Sequence, residues 1–198
     1  FTADTVQTLA NQINSGALPF ELEVNSYSTI DPTLGTGARD SMVIAGAVLY
    51  FIRPTIVKQT SMQSTMNPND YLIMYRQAYR SKAPKRGDII IFKSDLPDEE
   101  GKDKLLIKRV IGLPGDEIQI KNQKVYINGK KYKENYLKDG YTTGEGTWNV
   151  PEGHYFVMGD NRVVSVDSRY TDVGYVDKDQ IQGKAVLRLF PFNKIKTF

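Results

Sequence analysis

The chain has 198 residues with 26 basic and 23 acidic side chains, so its net charge is only +3. The two signs are interleaved and leave no basic stripe of the kind that binds nucleic acid, so no nucleic-acid partner is expected. There is no cysteine and only one histidine, His154, which excludes a cysteine nucleophile, a disulfide framework and a metal site with several histidines.

Residues 1–41 differ in pattern from the rest of the chain. Asp4 can cap a short helix whose apolar residues recur at helical spacing, and the segment at 22–30 then alternates in the manner of a strand. We therefore predict a short α+β appendage at the N-terminal end.

An apolar run of 11 residues without a charge follows at 42–52. A helix needs about 20 apolar residues to cross a membrane, so this run is too short to span one by itself. Two interpretations remain open. The run is either a buried core element, or the end of a membrane anchor or an interfacial segment.

From residue 54 onward the pattern is that of a β protein. Short runs rich in Ile, Val, Tyr and Phe are separated by turn residues, and Asn128-Gly129 is a strong hairpin signal because both residues tolerate a positive φ. Many short strands of this kind predict a barrel or a sandwich. The charged stretch 94–104 and the glycine-containing stretch 141–149 are predicted to be loops.

The stretch Q-T-S-M-Q-S-T-M at 59–66 contains two candidate nucleophiles, Ser61 and Ser64. A serine hydroxyl needs a base, and apart from the single histidine the common alternative is a lysine held neutral by burial. Lys108 stands out because it lies in L-L-I-K-R-V-I-G-L, where strand alternation puts it on one face with Leu106 and Val110. Its pKa would have to fall from ~10.4 to roughly 7–8.

A third segment, M-G-D-N-R-V-V-S-V-D-S-R at 158–169, follows a predicted strand and concentrates charged and hydroxyl side chains. It is either a polar loop with internal ion pairs, or a rigid hydrogen-bonded loop that supports a site.

Together the three segments resemble the type I signal peptidases of Gram-positive bacteria, membrane-bound serine proteases with a Ser-Lys dyad that remove signal peptides from exported proteins. The resemblance covers about residues 43–198. It is carried by K-R-V-I-G-L-P-G-D at 108–116 and G-D-N-R-V-V-S-V-D-S-R at 159–169, which match long family motifs in the family's order. The family's S-M-x-P-T matches at Ser61-Met62, with Ser64 in place of proline.

This resemblance implies a mostly β fold, an antiparallel β-sheet or barrel catalytic core with a smaller β-rich insertion. It implies Ser61 as nucleophile, Lys108 as general base and Ser165 as hydrogen-bond partner of the lysine amine. Four further residues are expected to support the site by pairing with one another: Arg109, Asp160, Asp167 and Arg169.

Oxyanion stabilisation would come from the backbone N–H of Ser61, and Gln59, Thr60 and Met62 would lie at the oxyanion and substrate-binding positions. Gln59 stands where many relatives have glycine or serine. The implied substrates are exported preproteins with small residues before the cut, bound as an extended strand beside the enzyme strands expected to carry Ser61 and Lys108. No cofactor or metal is expected. The implied location is the cell membrane, with the catalytic domain on the extracytoplasmic side.

These implications give three predicted segments. Residues 1–41 resemble part of the export protein SecD, through S-G-A-L-P among others, and are predicted to be a SecD-like appendage. Its origin stays open between an engineered fusion, a natural fusion and an artefact of sequence assembly. Residues 42–53 are predicted to be a partial membrane anchor, and residues 54–198 the catalytic domain, with a cap-like insertion at about 121–152.

Two other functions remain open for the catalytic domain. One is a non-cleaving assembly factor for exported or pilus proteins, which would be expected to replace the serine or the lysine. The other is a LexA-like autoprotease with the same dyad, against which the lack of a DNA-binding helix-turn-helix pattern argues.

Overall fold

A computed structural model describes residues 4, 11, 40–42, 46, 50–97, 101, 103–138 and 140–198 of the chain. The predicted SecD-like appendage lies almost wholly outside these residues, as does most of the apolar run. The chain divides into two compact units, Phe1–Gly46 and Ala47–Phe198, and the following concerns the second. No helix within the described residues is long and apolar enough to cross a membrane.

The described part of the second unit is built mainly from antiparallel strands and two short 3₁₀ turns, with helical residues at Tyr50 and Phe51 ahead of the first strand. The strands are β1 (Ile52–Ile56), β2 (Tyr71–Tyr75), β3 (Ile89–Pro97), β4 (Asp103–Gly112), β5 (Glu117–Lys121), β6 (Lys124–Ile127), β7 (Lys130–Lys131), β8 (Gly146–Asn149), β9 (His154–Met158), β10 (Val176–Asp177), β11 (Ile181–Phe190) and β12 (Lys196–Thr197). The 3₁₀ turns are Lys178–Gln180 and Phe192–Lys194.

The strands form two sheets, and the larger one carries the order β1-β2-β11-β3-β4-β9-β10, with β12 added beside β11. The smaller sheet has the order β7-β6-β5-β8 and occupies the chain between β4 and β9. The predicted mostly β, antiparallel fold is therefore confirmed. The strands of the smaller sheet run from Glu117 to Asn149, within and slightly before the predicted insertion.

Two predicted loops are in part strands. β3 continues to Pro97 and β4 begins at Asp103, because the two strands keep pairing through Ser94 and Lys104. The Ser94 hydroxyl also donates to the Lys104 carbonyl, 2.9 Å away. Turn-forming composition is a local preference, and pairing with a neighbouring strand outweighs it here.

The second stretch that was wrongly predicted to be a loop, 141–149, contains β8. This strand pairs with β5 through Ile118 and Trp148. The Trp148 ring packs against Phe156 of β9, with 5.2 Å between ring centroids. Burial of this large aromatic against the core favours a strand despite the flanking glycines.

The core follows the alternation of the long strands. One cluster lies between β3, β4 and β9 and contains Ile90, Phe92, Leu106, Val110 and other buried side chains. A second lies under the β1–β2 connection, and a third joins the smaller sheet to β9. The first of these clusters sets the face of β4 to which the candidate base belongs.

Candidate active site

Ser61 lies on a tight turn between β1 and β2 rather than on a strand. The backbones of Val57 and Asp70 close this connection with an N–H to carbonyl hydrogen bond of 3.0 Å, and Met66 N–H donates to the Met62 carbonyl at 2.8 Å. Met62 and Met66 are 1% and 0% exposed and anchor the turn in the core. The turn therefore holds Ser61 at a fixed place above a packed apolar layer.

The Ser61 hydroxyl is close to the surface and without a partner. The residue is 8% exposed, and its side chain hydrogen-bonds none of the described residues. Its backbone N–H also donates to no acceptor within that part of the chain. Both groups are therefore available to a bound molecule. Ser64 lies on the same turn, and its side chain is exposed to solvent.

Lys108 lies in the middle of β4, opposite Ile90 of β3. Its neighbours on the same face, Leu106 and Val110, are 4% and 0% exposed, and Lys108 itself is 1% exposed. The predicted alternation is confirmed, since β4 places the lysine on the apolar face. An ammonium group buried in this way is costly unless it loses its charge.

The loop that follows β9 reaches the Ser61 turn directly. Asn161 donates its backbone N–H to the Ser61 carbonyl at 2.9 Å and its side-chain amide to the Thr60 carbonyl at 3.3 Å. Gly159 has no room for a side chain, because a Cβ there would lie 2.2 Å from Ser165 Oγ and 2.4 Å from the Ser61 carbonyl oxygen. Ser61 and Ser165 thus converge on the same glycine.

The amine of Lys108 meets this loop at Ser165, where Nζ donates to Oγ over 3.1 Å. Burial lowers the pKa of Lys108 to about 8, and the positive charges of Arg169 and Lys104 add to that effect. The carboxylates of Asp167 and Asp160 oppose it. A lysine with such a pKa is neutral for part of the time near neutral pH, as a general base requires.

Lys108 contacts Ser165 and makes no hydrogen bond to Ser61 in this structure. Catalytic contacts are often long when no substrate is bound and tighten in the complex. Ser165 is 1% exposed, so its hydroxyl fixes the direction of the amine from within the protein.

Arg109 and Asp160 form a buried, two-pronged ion pair. Arg109 Nε and Nη2 donate to the two carboxylate oxygens at 2.8 and 2.6 Å. Arg109 also donates to the Gly87 carbonyl at 2.8 Å. The pair joins β4 to the start of the loop after β9. On β4 it is made by Arg109, the residue next to the candidate base Lys108.

Asp167 and Arg169 form the second pair within the same loop. Arg169 Nε and Nη2 donate to the Asp167 carboxylate at 2.8 and 2.9 Å, and Asp167 also accepts the Gly159 N–H at 2.9 Å. Arg169 donates to the Ser165 carbonyl at 3.2 Å. The structure thus brings together the four predicted supporting residues, three within the loop that bears Ser165 and Arg109 beside it on β4.

Several residues of this network were not singled out from the sequence. Asn161 and Arg162 stand inside the G-D-N-R motif, which was the available signal for them. Arg162 donates to the Gly159 carbonyl at 3.0 Å and pairs with Glu134, which lies in the loop between β7 and β8. Nothing in the local sequence around Glu134 indicates that contact.

The other predicted substrate-side residues are spread around the turn. Gln59 is half-buried and Thr60 is exposed, whereas the Met62 side chain is in the core. Their predicted roles at the oxyanion and substrate positions stay predictions. Within the described residues, no group of His, Asp or Glu side chains is arranged to hold a metal ion.

Comparisons with known proteins agree on one family. The family model described as signal peptidase, peptidase S26, matches residues 40–190. A signal peptidase I from Bacillus licheniformis is 40% identical over 157 residues, which cover 74% of this chain and 81% of that protein. A probable signal peptidase I-2 from Synechocystis is 34% identical over 164 residues, covering 82% and 74% respectively.

Among solved structures, that of a signal peptidase I from Enterococcus faecalis is 36% identical in sequence. It covers 53% of this chain and 98% of the other, with a TM-score of 0.45.

Proposed function

The chain belongs to the signal peptidase family, peptidase S26, and from that premise we propose that it is a serine endopeptidase which removes signal peptides from exported preproteins, with Ser61 as nucleophile and Lys108 as general base. The resemblance recognised in its motifs is thus confirmed as to family. The resemblance of residues 1–41 to SecD stays a prediction.

One observation carries the assignment of the base. Lys108 is 1% exposed, and its amine is directed by a buried serine hydroxyl 3.1 Å away. A lysine that only supported the fold would place its ammonium group in water or beside a carboxylate. Here the buried amine meets a neutral hydroxyl instead, and burial brings its pKa to about 8.

In the proposed reaction the neutral amine of Lys108 accepts the Ser61 proton as Oγ attacks the scissile carbonyl carbon. The backbone N–H of Ser61, which has no acceptor among the described residues, donates to the oxyanion in this proposal. Loss of one such donor typically costs about 10²–10³ in rate. Collapse of the intermediate breaks the C–N bond, and the lysine gives its proton to the leaving amine. Water then hydrolyses the acyl-enzyme by the same base.

We infer that the peptide binds as an added strand beside β4. β4 pairs with β9 only from Arg109 onward. The residues of β4 before Arg109 therefore make no backbone pairing with β9 on the edge that faces away from β3. An extended peptide can complete such an edge with backbone hydrogen bonds. Ser61 itself lies on a turn, so the earlier expectation of a strand at the nucleophile was wrong. Small residues before the cut remain the proposed requirement.

Association with a lipid membrane is part of the proposal, with the catalytic domain on the extracytoplasmic side. Three exposed aromatic rings support it: Tyr71 and Phe190 pack edge to face at 5.7 Å, and Phe190 and Phe192 at 5.4 Å. Phe192 is 72% exposed. Aromatic side chains grouped in this way at a surface are suited to the membrane interface.

The first test is cleavage of a fluorogenic peptide with a small-x-small site by the full chain in detergent. Ser61→Ala and Lys108→Met are expected to abolish cleavage, whereas Ser64→Ala is expected to retain it. Loss confined to Ser64→Ala would overturn the assigned nucleophile. A folded parent that cleaves nothing would favour the non-cleaving assembly factor, and capture of exported proteins would then be measured.

A further inference from the structure

The loop that follows β7 in the smaller sheet reaches across to the loop that carries Ser165. Glu134 of this β7–β8 loop binds Arg162, with Nη1 3.1 Å from Oε2. The two side chains are 8% and 2% exposed. Tyr136 donates its hydroxyl to the same carboxylate at 2.7 Å, and Thr142 accepts from Arg162. Each of these polar side chains therefore has a hydrogen-bond partner in the contact.

The other end of Arg162 holds the backbone beside the dyad. Its Nε donates to the Gly159 carbonyl at 3.0 Å. Gly159 lies in closest contact with both Ser61 and Ser165, as the crowding around its Cα shows. A displacement of the Gly159 carbonyl would therefore move one or both serines.

Two more arginines of the site are held by the same β7–β8 loop. Arg169 donates to the Thr143 carbonyl at 2.7 Å, and the Thr143 hydroxyl donates to the Arg162 carbonyl at 2.8 Å. The guanidinium of Arg109 lies over the Tyr136 ring, 4.0 Å from its centroid. The β7–β8 loop thus contacts three arginines, two in the loop that carries Ser165 and one in β4.

We propose that Glu134 is a positioning residue for the dyad: through Arg162 it holds the Gly159 carbonyl, and so keeps Ser165 where it directs the Lys108 amine. The β7–β8 loop is then a support for catalysis rather than only a connection between two strands. This proposal rests on the proposed function for its kinetic test. Displacements of about 1 Å in such supports can reduce rates about 10²-fold.

The competing explanation is that Glu134 contributes only stability. Leaving the buried Arg162 unpaired is destabilising in either case, so loss of stability alone does not distinguish the two. The distinguishing quantities are kcat against KM, and the pKa of Lys108.

The kinetic comparison uses Glu134→Gln and, as a matched control, Glu117→Gln. Glu117 begins β5 in the smaller sheet, and its side chain is exposed. We expect Glu134→Gln to lower kcat about 10- to 100-fold with KM changed less than about 3-fold. The control is expected to match the parent. An unchanged kcat in folded Glu134→Gln would overturn the proposal.

The second comparison titrates Lys108 by NMR in protein labelled at the lysine ε-carbons, with the signal assigned from Lys108→Met. The charged groups facing Lys108 are Asp167, Asp160, Arg169 and Lys104. Loss of the Glu134 charge by itself lowers the pKa of Lys108, because Arg162 is left uncompensated. Release of the loop admits water and raises it. A raised pKa in Glu134→Gln supports positioning, and a lowered or unchanged one contradicts it.

Tyr136→Phe decides the matter if Glu134→Gln fails to fold. It keeps the ring over Arg109 and removes the hydroxyl, which donates to the Glu134 carboxylate and accepts from Arg162 at 3.3 Å. A several-fold lower kcat and a raised Lys108 pKa are therefore expected. Parent-like values of both would overturn the proposal. If the parent cleaves nothing, the proposed function falls, and the Lys108 titration alone decides the positioning role.

Discussion

The amine of Lys108 and the hydroxyl of Ser165 meet at 3.1 Å inside the protein, 57 residues apart in the sequence. Each group is buried, so the contact is shielded from water and strongly oriented. The lysine approaches from the apolar face of β4 and the serine from the loop after β9. The proposed catalytic base is therefore held in direction by an element other than its own strand.

Ser165→Ala should lower kcat/KM about 10²-fold, because the amine loses the hydroxyl that directs it. Ser94→Ala is the matched control, since Ser94 is also buried and hydrogen-bonded, but to the Lys104 carbonyl. Its expected effect is a loss of about 1 kcal/mol in unfolding free energy, with kcat/KM retained. Equal kcat/KM in both variants would contradict the role of Ser165.

The pH dependence of kcat/KM should report Lys108. In the proposed mechanism the neutral amine is the active form, and burial lowers the pKa of Lys108 to about 8. We expect kcat/KM to rise with pH and level off above about 8. A profile that levels off near ~10.4, the ordinary lysine value, would show that the base is not buried in solution.

Stability should also change with pH through the same group. Between about 8, where folded Lys108 titrates, and ~10.4, where the unfolded chain does, the unfolded state binds more protons, so stability rises with pH. Below that window the charged, buried amine lowers stability. Lys108→Met should therefore be more stable than the parent near pH 7, and this advantage should shrink by roughly 2–3 kcal/mol by pH 10. Urea unfolding of both proteins measures it, and an advantage independent of pH would contradict the assignment.

Asp160→Asn should destabilise the protein by about 3 kcal/mol or more, because it leaves the buried Arg109 without its counter-charge. Asp103→Asn provides the control, since Asp103 pairs with Lys93 at 3.8 Å with both side chains more than half exposed. An exposed pair contributes about 0–1 kcal/mol. Thermal unfolding of the two variants and the parent measures both losses of stability. Equal losses in the two variants would refute the structural role of Asp160.

Gly159→Ala should abolish most activity, because its Cβ would lie 2.2 Å from Ser165 Oγ and 2.4 Å from the Ser61 carbonyl oxygen. Gly183→Ala introduces comparable crowding elsewhere, with 2.6 Å to the Tyr75 carbonyl oxygen. Both substitutions should lower the melting temperature, but only Gly159→Ala should lower the kcat of the molecules that remain folded. Active-site titration with single-turnover rates separates these effects.

The linear motifs predicted the candidate dyad, and the alternation of β4 predicted the buried face of Lys108. Both signals are local, since a strand repeats every two residues and a motif keeps its spacing. The ends of β3 and β4 and the presence of β8 were predicted wrongly. There the local composition favours turns, and pairing with a neighbouring strand decides otherwise.

The sequence by itself determined the kind of chemistry, since without cysteine and with one histidine the serine had few bases to work with, and the motifs pointed to one lysine. The tertiary structure alone decided that Met62 packs inward and that Glu134 of the β7–β8 loop holds Arg162. Burial and contacts between distant segments depend on how the sheets come together. No local pattern of residues encodes them.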